Sequence, residues 1–201
     1  MKKILILFIF VVFCTSCNIY ETKDMKITQL EELFLVKENR YNQSFSGYRY
    51  YLPIGMKNVK KVENTFKLSY KNTYMYLYVD LISYLNKTEI KYKPNSSTFY
   101  SKKLKNGFLE IKKLENNEYS YIIVYNYGRI EGVVESKNLN DALSNSMIIL
   151  SSIKYNDKLL NTVYNKDNER AKNFDLNNNR QSVSDDIKKE KSEDDLNLNF
   201  K

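Results

Sequence analysis

Between residues 74 and 80, tyrosine recurs at every second position: Tyr74, Tyr76 and Tyr78, followed by Asp80. In an extended strand successive side chains point to opposite faces, so this spacing lines three phenols and a carboxylate along one side. A second run, "YSYIIVYNYG", places Tyr119, Tyr121, Tyr125 and Tyr127 on one parity. Tyrosine offers a large rigid contact area with a hydroxyl at its rim, the chemistry of a surface that holds a sugar or a protein partner. If the two stretches are neighbours, one face of a sheet is paved with phenols. Tyr74, Tyr76, Tyr78, Asp80, Tyr125 and Tyr127 are therefore the candidate binding face. The competing expectation is that another element covers this face and makes the tyrosines core, since aromatic residues favour strands in any case.

Catalytic chemistry has few residues to work with. The chain contains no histidine, which removes Ser-His-Asp and Cys-His machinery and every histidine metal site. Glycine-rich phosphate loops and HExxH are absent as well. What remains is carboxylates: Asp80, Glu110, Glu131 and Glu135 fall on expected strands. An acid pair that hydrolyses a sugar needs a cleft and a fixed separation, and a small sheet with short loops offers little cleft. No catalytic residue, metal site or cofactor is assigned.

The N-terminus carries the clearest signal. Lys2 and Lys3 precede an apolar run from Ile4 to Phe13, the pattern of a secretory leader. The run is ten residues, or roughly 15 Å of helix, too short for a bilayer core of about 30 Å. A membrane-spanning anchor ranks below ordinary secretion with cleavage after Ser16. The stretch "FCTSC" at 13–17 holds both cysteines of the chain, Cys14 and Cys17. Two cysteines this close beside a leader make a poor structural disulfide, and a CxxC redox site here would have no fold around it.

"CTSC" resembles the lipobox of bacterial lipoproteins. Thr15 and Ser16 are the small pair and Cys17 is the residue acylated; Cys14 departs from the leucine usual at that place. The resemblance implies removal of residues 1–16 as a signal peptide. It also implies a diacylglyceryl group on Cys17 with palmitate-type chains, and a protein held on the outer, extracytoplasmic side of the cell membrane. Two or more acyl chains anchor stably where one does not. The partners that follow are membrane lipid through Cys17 and an envelope protein or wall polymer. Nucleic acid does not fit a chain held outside the cell. The function expected is a non-catalytic binding or scaffold module of the cell envelope. The alternative is a small envelope-acting hydrolase that uses carboxylates.

The whole chain carries a formal net charge of +8. Residues 18–165 hold 22 basic and 15 acidic side chains, whereas 166–201 hold 8 and 9. A basic exported domain is drawn to anionic headgroups or wall polymers. Abundant Lys, Asn, Tyr and Ile throughout also fit an AT-rich coding sequence without any partner.

Residues 17–27 read as lipidated cysteine and spacer, 28–155 as a single domain, and 156–201 as a mostly disordered polar tail. A short helical piece at 157–164 is the exception allowed in that tail. Thr28 and Glu31 have capping-box spacing ahead of Leu30, Leu33 and Phe34, which predicts a helix over 28–39. From Tyr48 the pattern turns to strands. Lys71-Asn72, Asn106-Gly107 and Asn116-Asn117 mark hairpins. Met75, Leu77, Val79 and Leu81 form the apolar side of one strand. A long strand is expected over 119–135, bent near Gly128, with Gly128 and Gly132 on the face of Ile122, Val124, Ile130 and Val134. A closing helix begins at Asn138 or Asn140 and presents Leu143, Met147, Leu150 and Ile153. The predicted class is α+β: an antiparallel β-meander of about five to seven strands with an N-terminal and a C-terminal helix packed on it. By element order over 48–155 it resembles the PsbP and Mog1-like proteins, a likeness of fold alone.

Overall fold

A computed structural model describes residues 39–164 apart from Glu63 and Asn95, together with Glu32. The leader, Cys17, the helix expected over 28–39 (Glu32 apart) and the tail from 165 onward lie outside the described residues.

The chain forms β1 (Gln43–Phe45), β2 (Tyr48–Tyr50), β3 (Lys57–Val62), β4 (Thr65–Tyr70) and β5 (Thr73–Val79), then a one-turn helix α1 (Leu81–Leu85). After it come β6 (Tyr100–Leu104), β7 (Gly107–Lys113), β8 (Glu118–Tyr125) and β9 (Gly128–Glu135). The main helix α2 (Leu139–Ser152), β10 (Lys154–Tyr155) and α3 (Asp157–Tyr164) close the described chain. Seven strands make one antiparallel sheet in the order β3-β4-β5-β9-β8-β7-β6; a small second sheet, β1-β2-β10, packs its Phe45 and Tyr50 rings on Phe66 of β4. The class is α+β with a large antiparallel sheet. Its two meanders, β3–β5 and β6–β9, join where β5 pairs with β9.

Local chemistry explains the turns. Lys71 and Asn72 both have positive φ, 45° and 60°, the conformation that matches the twist of a two-residue hairpin. Asn116 and Asn117 do the same between β7 and β8. The strand expected as one over 119–135 is instead two. Asn126 and Tyr127 turn the chain back with φ of 50° and 61°, and Tyr125 pairs with Gly128. A bulky residue at positive φ is costly, so the turn needs support. Asn126 Nδ2 donates to the Ile153 carbonyl at 3.2 Å, the Tyr155 hydroxyl donates to the Asn126 carbonyl at 2.7 Å, and the Asp80 N–H donates to the Tyr127 carbonyl at 2.9 Å.

This turn corrects the expected facing of the glycines. Gly128, Ile130 and Gly132 pair with Tyr125, Ile123 and Tyr121, so they share a face with those residues and not with Ile122 and Val124. Helix α2 packs on that inner face over β8 and β9. Leu143, Met147 and Leu150 are fully buried there against Leu77, Ile123 and Ile130. A Cβ on Gly128 would lie 2.6 Å from both Leu150 Cδ2 and Ile153 Cδ1, so its missing side chain admits the helix. At Gly132 a Cβ would lie 3.2 Å from the Tyr121 ring, which occupies that space. Asn138 stands at the N-cap of α2 without a side-chain cap bond, after a short 3-10 turn over Ser136–Asn138.

The packed chain continues past residue 155. Asn156 N–H donates to the Gly47 carbonyl at 2.8 Å, and Leu160 of α3 is buried over Gly47, where any Cβ would collide with it. Both edges of the large sheet carry lysines: Lys57, Lys60 and Lys61 on β3, Lys102 and Lys103 on β6. Charge on an edge discourages pairing with another chain.

Candidate binding face

The side of the sheet opposite α2 is built in cross-strand rows. One row runs Lys67, Tyr76, Glu131, Ile122, Glu110, Ser101; the next runs Thr65, Tyr78, Arg129, Val124, Phe108, Lys103. Alternation within each strand sends these side chains outward while their neighbours Met75, Leu77, Ile130 and Ile123 fill the core.

The connection from β5 to β6 must cross β9, β8 and β7 to reach the far edge. Tyr92 of that connection stacks on Phe108, ring centroids 4.6 Å apart and planes at 14°. On the outer side of β7, β8 and β9, Phe108, Glu110, Val124 and Arg129 are buried. The β4–β5 half differs: Tyr76 and Tyr78 are half-buried and Tyr74 is 40% exposed. Lys67 Nζ lies 4.3 Å from the centre of the Tyr74 ring, a cation–π contact that orients both groups.

Charge concentrates between the two halves. Arg129 Nη2 donates to Glu131 Oε2 at 2.8 Å. Burial pushes the Glu131 carboxyl above its ordinary value, and the Arg129 guanidinium opposes that rise only in part. Glu110 is 6% exposed, and its Oε1 has no hydrogen-bond partner. A buried acceptor left unpaired costs free energy unless something donates to it, so this carboxylate is set to receive a hydroxyl or ammonium group.

The structure gathers three of the six candidate residues and scatters the others. Tyr74, Tyr76 and Tyr78 share the outer face as expected. Asp80 does not join them. It is 1% exposed and caps α1, its Oδ1 accepting from the Ser83 N–H at 2.9 Å. Tyr125 faces the other way, packed against the core beside α2. Tyr127 sits in the β8–β9 turn, its ring edge-on to Tyr84 at 5.6 Å. The second stripe is thus on the inner face. Tyr121 is 1% exposed, with its hydroxyl 3.2 Å from Ser146 Oγ, and burial drives its phenol far above the usual range. Strands β5 and β8 are not neighbours, because β9 lies between them. One continuous phenol pavement is excluded.

A separate tyrosine cluster ties the far end of the fold together. Tyr84 stacks on Tyr155 at 3.7 Å and donates to Asp157 Oδ1 at 2.6 Å. Desolvation, and next that hydrogen bond, hold its phenol up at about 12. Of the other acids considered, Glu135 lies at the surface with Lys137. Arg129 was not singled out by sequence; its position opposite Tyr78, next to Glu131 in the outer rows, depends on the Asn126-Tyr127 turn. Among the described residues, no group of three or more acidic or cysteine side chains could hold a metal ion. No helix among them is long and apolar enough to cross a membrane.

A scan against protein-family models finds no match for this chain, and a search of curated proteins finds no relative.

Proposed function

We propose that this protein is a lipid-anchored lipoprotein of the extracytoplasmic face of the membrane. In this reading the outer face of β4 and β5 binds a wall polymer of the envelope. The observation that carries the binding role is Tyr74, Tyr76 and Tyr78 on one side, in line with the Glu131–Arg129 pair and the unpartnered Glu110. Aromatic faces stack on the apolar faces of sugar rings, and carboxylates accept their hydroxyls. A protein partner in the envelope would use the same face. For location, support comes from the lipobox-like "CTSC" and the apolar run before it. The fold grouping we infer is the sheet-plus-terminal-helix type of PsbP and Mog1-like proteins. Element order over 48–155 supports it, and it carries no function.

The test has two arms. Intact mass and fractionation of the chain expressed in a bacterium, beside Cys17→Ala, should give a mature form starting at an acylated Cys17 that the variant lacks. A chain left uncleaved, or cut without lipid, would sink the anchor. Co-sedimentation with purified wall sacculi should retain the wild-type chain and lose Tyr74→Ala by about tenfold, the scale of an exposed aromatic anchor.

Glu110 and Glu131 favour a second reading, hydrolysis. They lie two strands apart in one row, about 10 Å by strand spacing, close to the upper limit of about 9.5 Å for an inverting carboxylate pair. Reducing ends released from sacculi by wild type and not by Glu110→Gln would establish it. The Arg129 pairing of Glu131 and the half-buried Ile122 between the two acids favour binding over cleavage.

A further inference from the structure

The turn between β2 and β3 presents an apolar tip. Pro53 to Met56 form a turn closed by the Met56 N–H on the Pro53 carbonyl at 3.1 Å, with Gly55 at φ +86° supplying the left-handed corner. Ile54 at its apex is 92% exposed. Nothing in the fold uses this side chain. Two further features share the same end of the molecule. Strand β3 leaves the turn as a sheet edge with exposed Lys57, Lys60 and Lys61. A register irregularity between Asn58 and Lys60 leaves Val59, 53% exposed, outside the ladder. From residue 39 to 62 the chain has five basic residues, Arg40, Arg49, Lys57, Lys60 and Lys61, and no acid.

The third feature is where the chain enters the domain. Asn42 clamps Leu52 from both sides: Nδ2 donates to the Leu52 carbonyl at 2.8 Å and Oδ1 accepts from the Leu52 N–H at 2.7 Å. Leu52 is two residues from Ile54, within about 7 Å along the chain. From Asn42 the described chain runs back through Arg40, over the Tyr51 ring, to Asn39, whose Oδ1 accepts from Lys154 Nζ at 3.0 Å. From Cys17 to Asn39 is 22 residues, which span no more than about 80 Å at full extension.

We infer that the Ile54 turn, with Lys57 and Lys60 of β3, forms a membrane-contact surface that docks on an anionic lipid bilayer, with Ile54 entering the interface and these two lysines meeting the headgroups; Lys61 is on the other face, over the Phe45 and Phe66 rings. The assignment rests on the lipid-anchor reading only for proximity: a tether of that length at residue 17 keeps the domain within reach of the membrane. Apolar insertion beside basic charge is the recognised combination for reversible surface binding.

The experiment needs no anchor. The chain without its leader, carrying Cys17→Ser, is mixed with vesicles of phosphatidylglycerol and phosphatidylcholine or of phosphatidylcholine alone. The protein has no tryptophan, so Ile54→Trp gives a single reporter at a site too exposed to disturb the core. Its emission should shift to the blue with anionic vesicles and stay unchanged with neutral ones, and added salt should weaken binding. Lys57→Gln with Lys60→Gln should weaken binding about fivefold per charge, and Ile54→Asp should remove the membrane-bound fraction. Anionic vesicles bound without a blue shift, or with no dependence on Lys57 and Lys60, would overturn the assignment. So would equal binding to a lipid-free glycerol-phosphate polymer, which would assign the lysines to that polymer. Processing at Cys17 is read separately in cells, so loss of the anchor reading and loss of this surface are distinguishable.

Discussion

The two faces of the large sheet use the same residue type in opposite ways. On the inner face Tyr121 lies under α2, fully desolvated, its hydroxyl shared with Ser146 and within 3.7 Å of Met75 Sδ. On the outer face Tyr76 and Tyr78 are half-buried and Tyr74 is exposed beside Lys67. A tyrosine on a strand is therefore not in itself a sign of binding; the parity of its strand relative to the neighbouring turn decides whether its ring packs or meets solvent. The faces differ equally in charge. Under α2 the inner face of β5, β8 and β9 carries Met75, Leu77, Ile123, Ile130 and Tyr121, whereas the outer face holds Arg129, Glu131 and Glu110 at low exposure. Glu110 Oε1, buried without a hydrogen-bond partner, works against stability.

Substitutions can break or sharpen that contrast. The largest effect should come from neighbours on one strand: Ile123→Ala, on the inner face, costs about 3 kcal/mol of stability, while Ile122→Ala, on the outer face, costs about 1 kcal/mol. Chemical denaturation measures both, and equal losses would mean the outer face is as tightly packed as the core. Next is Glu110→Gln, which should raise the denaturation midpoint by about 1 kcal/mol of stability, because a neutral amide replaces an unpartnered buried carboxylate. A loss of stability instead would show that the carboxylate already has a donor.

The smallest effect is the pH dependence of Glu131. Its folded-state pKa is raised, by burial first, above the ordinary 4.5. The folded state therefore binds this proton more tightly than the unfolded chain does. Its contribution falls as pH rises from about 4.5 through the folded value, and is regained on acidification. Glu131→Gln should remove that part of the slope in a pH series of unfolding curves. A stability that rises less with pH in the variant than in the wild type over that range would show that the Arg129 ion pair, not burial, governs the group.

Much of this arrangement follows from residue patterns. The alternation of Met75, Leu77 and Val79 with Tyr74, Tyr76 and Tyr78 defines β5 and its two faces, and Lys71-Asn72 and Asn116-Asn117 mark turns that exist. The helical spacing of Leu143, Met147 and Leu150 marks α2, and Gly128 admits it. The misreading at 119–135 has one physical origin. "YNYG" puts tyrosine, not glycine, at the second left-handed position of a tight turn, and tertiary contacts from Asp80, Ile153 and Tyr155 hold it there. Local sequence carries no trace of those contacts. Missing the turn moved Tyr125 to the wrong face and hid the pairing of Arg129 with Tyr78. Asp80 was misplaced for a similar reason: its parity continues the strand, but the chain turns into α1 at that residue and uses the carboxylate as a cap.

The most direct test is a crossed pair of variants, each measured for both stability and retention on purified wall sacculi. Tyr74→Ala should keep the wild-type unfolding midpoint to within about 0.5 kcal/mol and lose retention. Tyr121→Phe should lose about 1 kcal/mol by removing the hydrogen bond between Tyr121 and Ser146 and keep retention. Retention lost with Tyr121→Phe but not with Tyr74→Ala, or absent from the wild-type chain, would contradict the assignment of the outer face as the binding face.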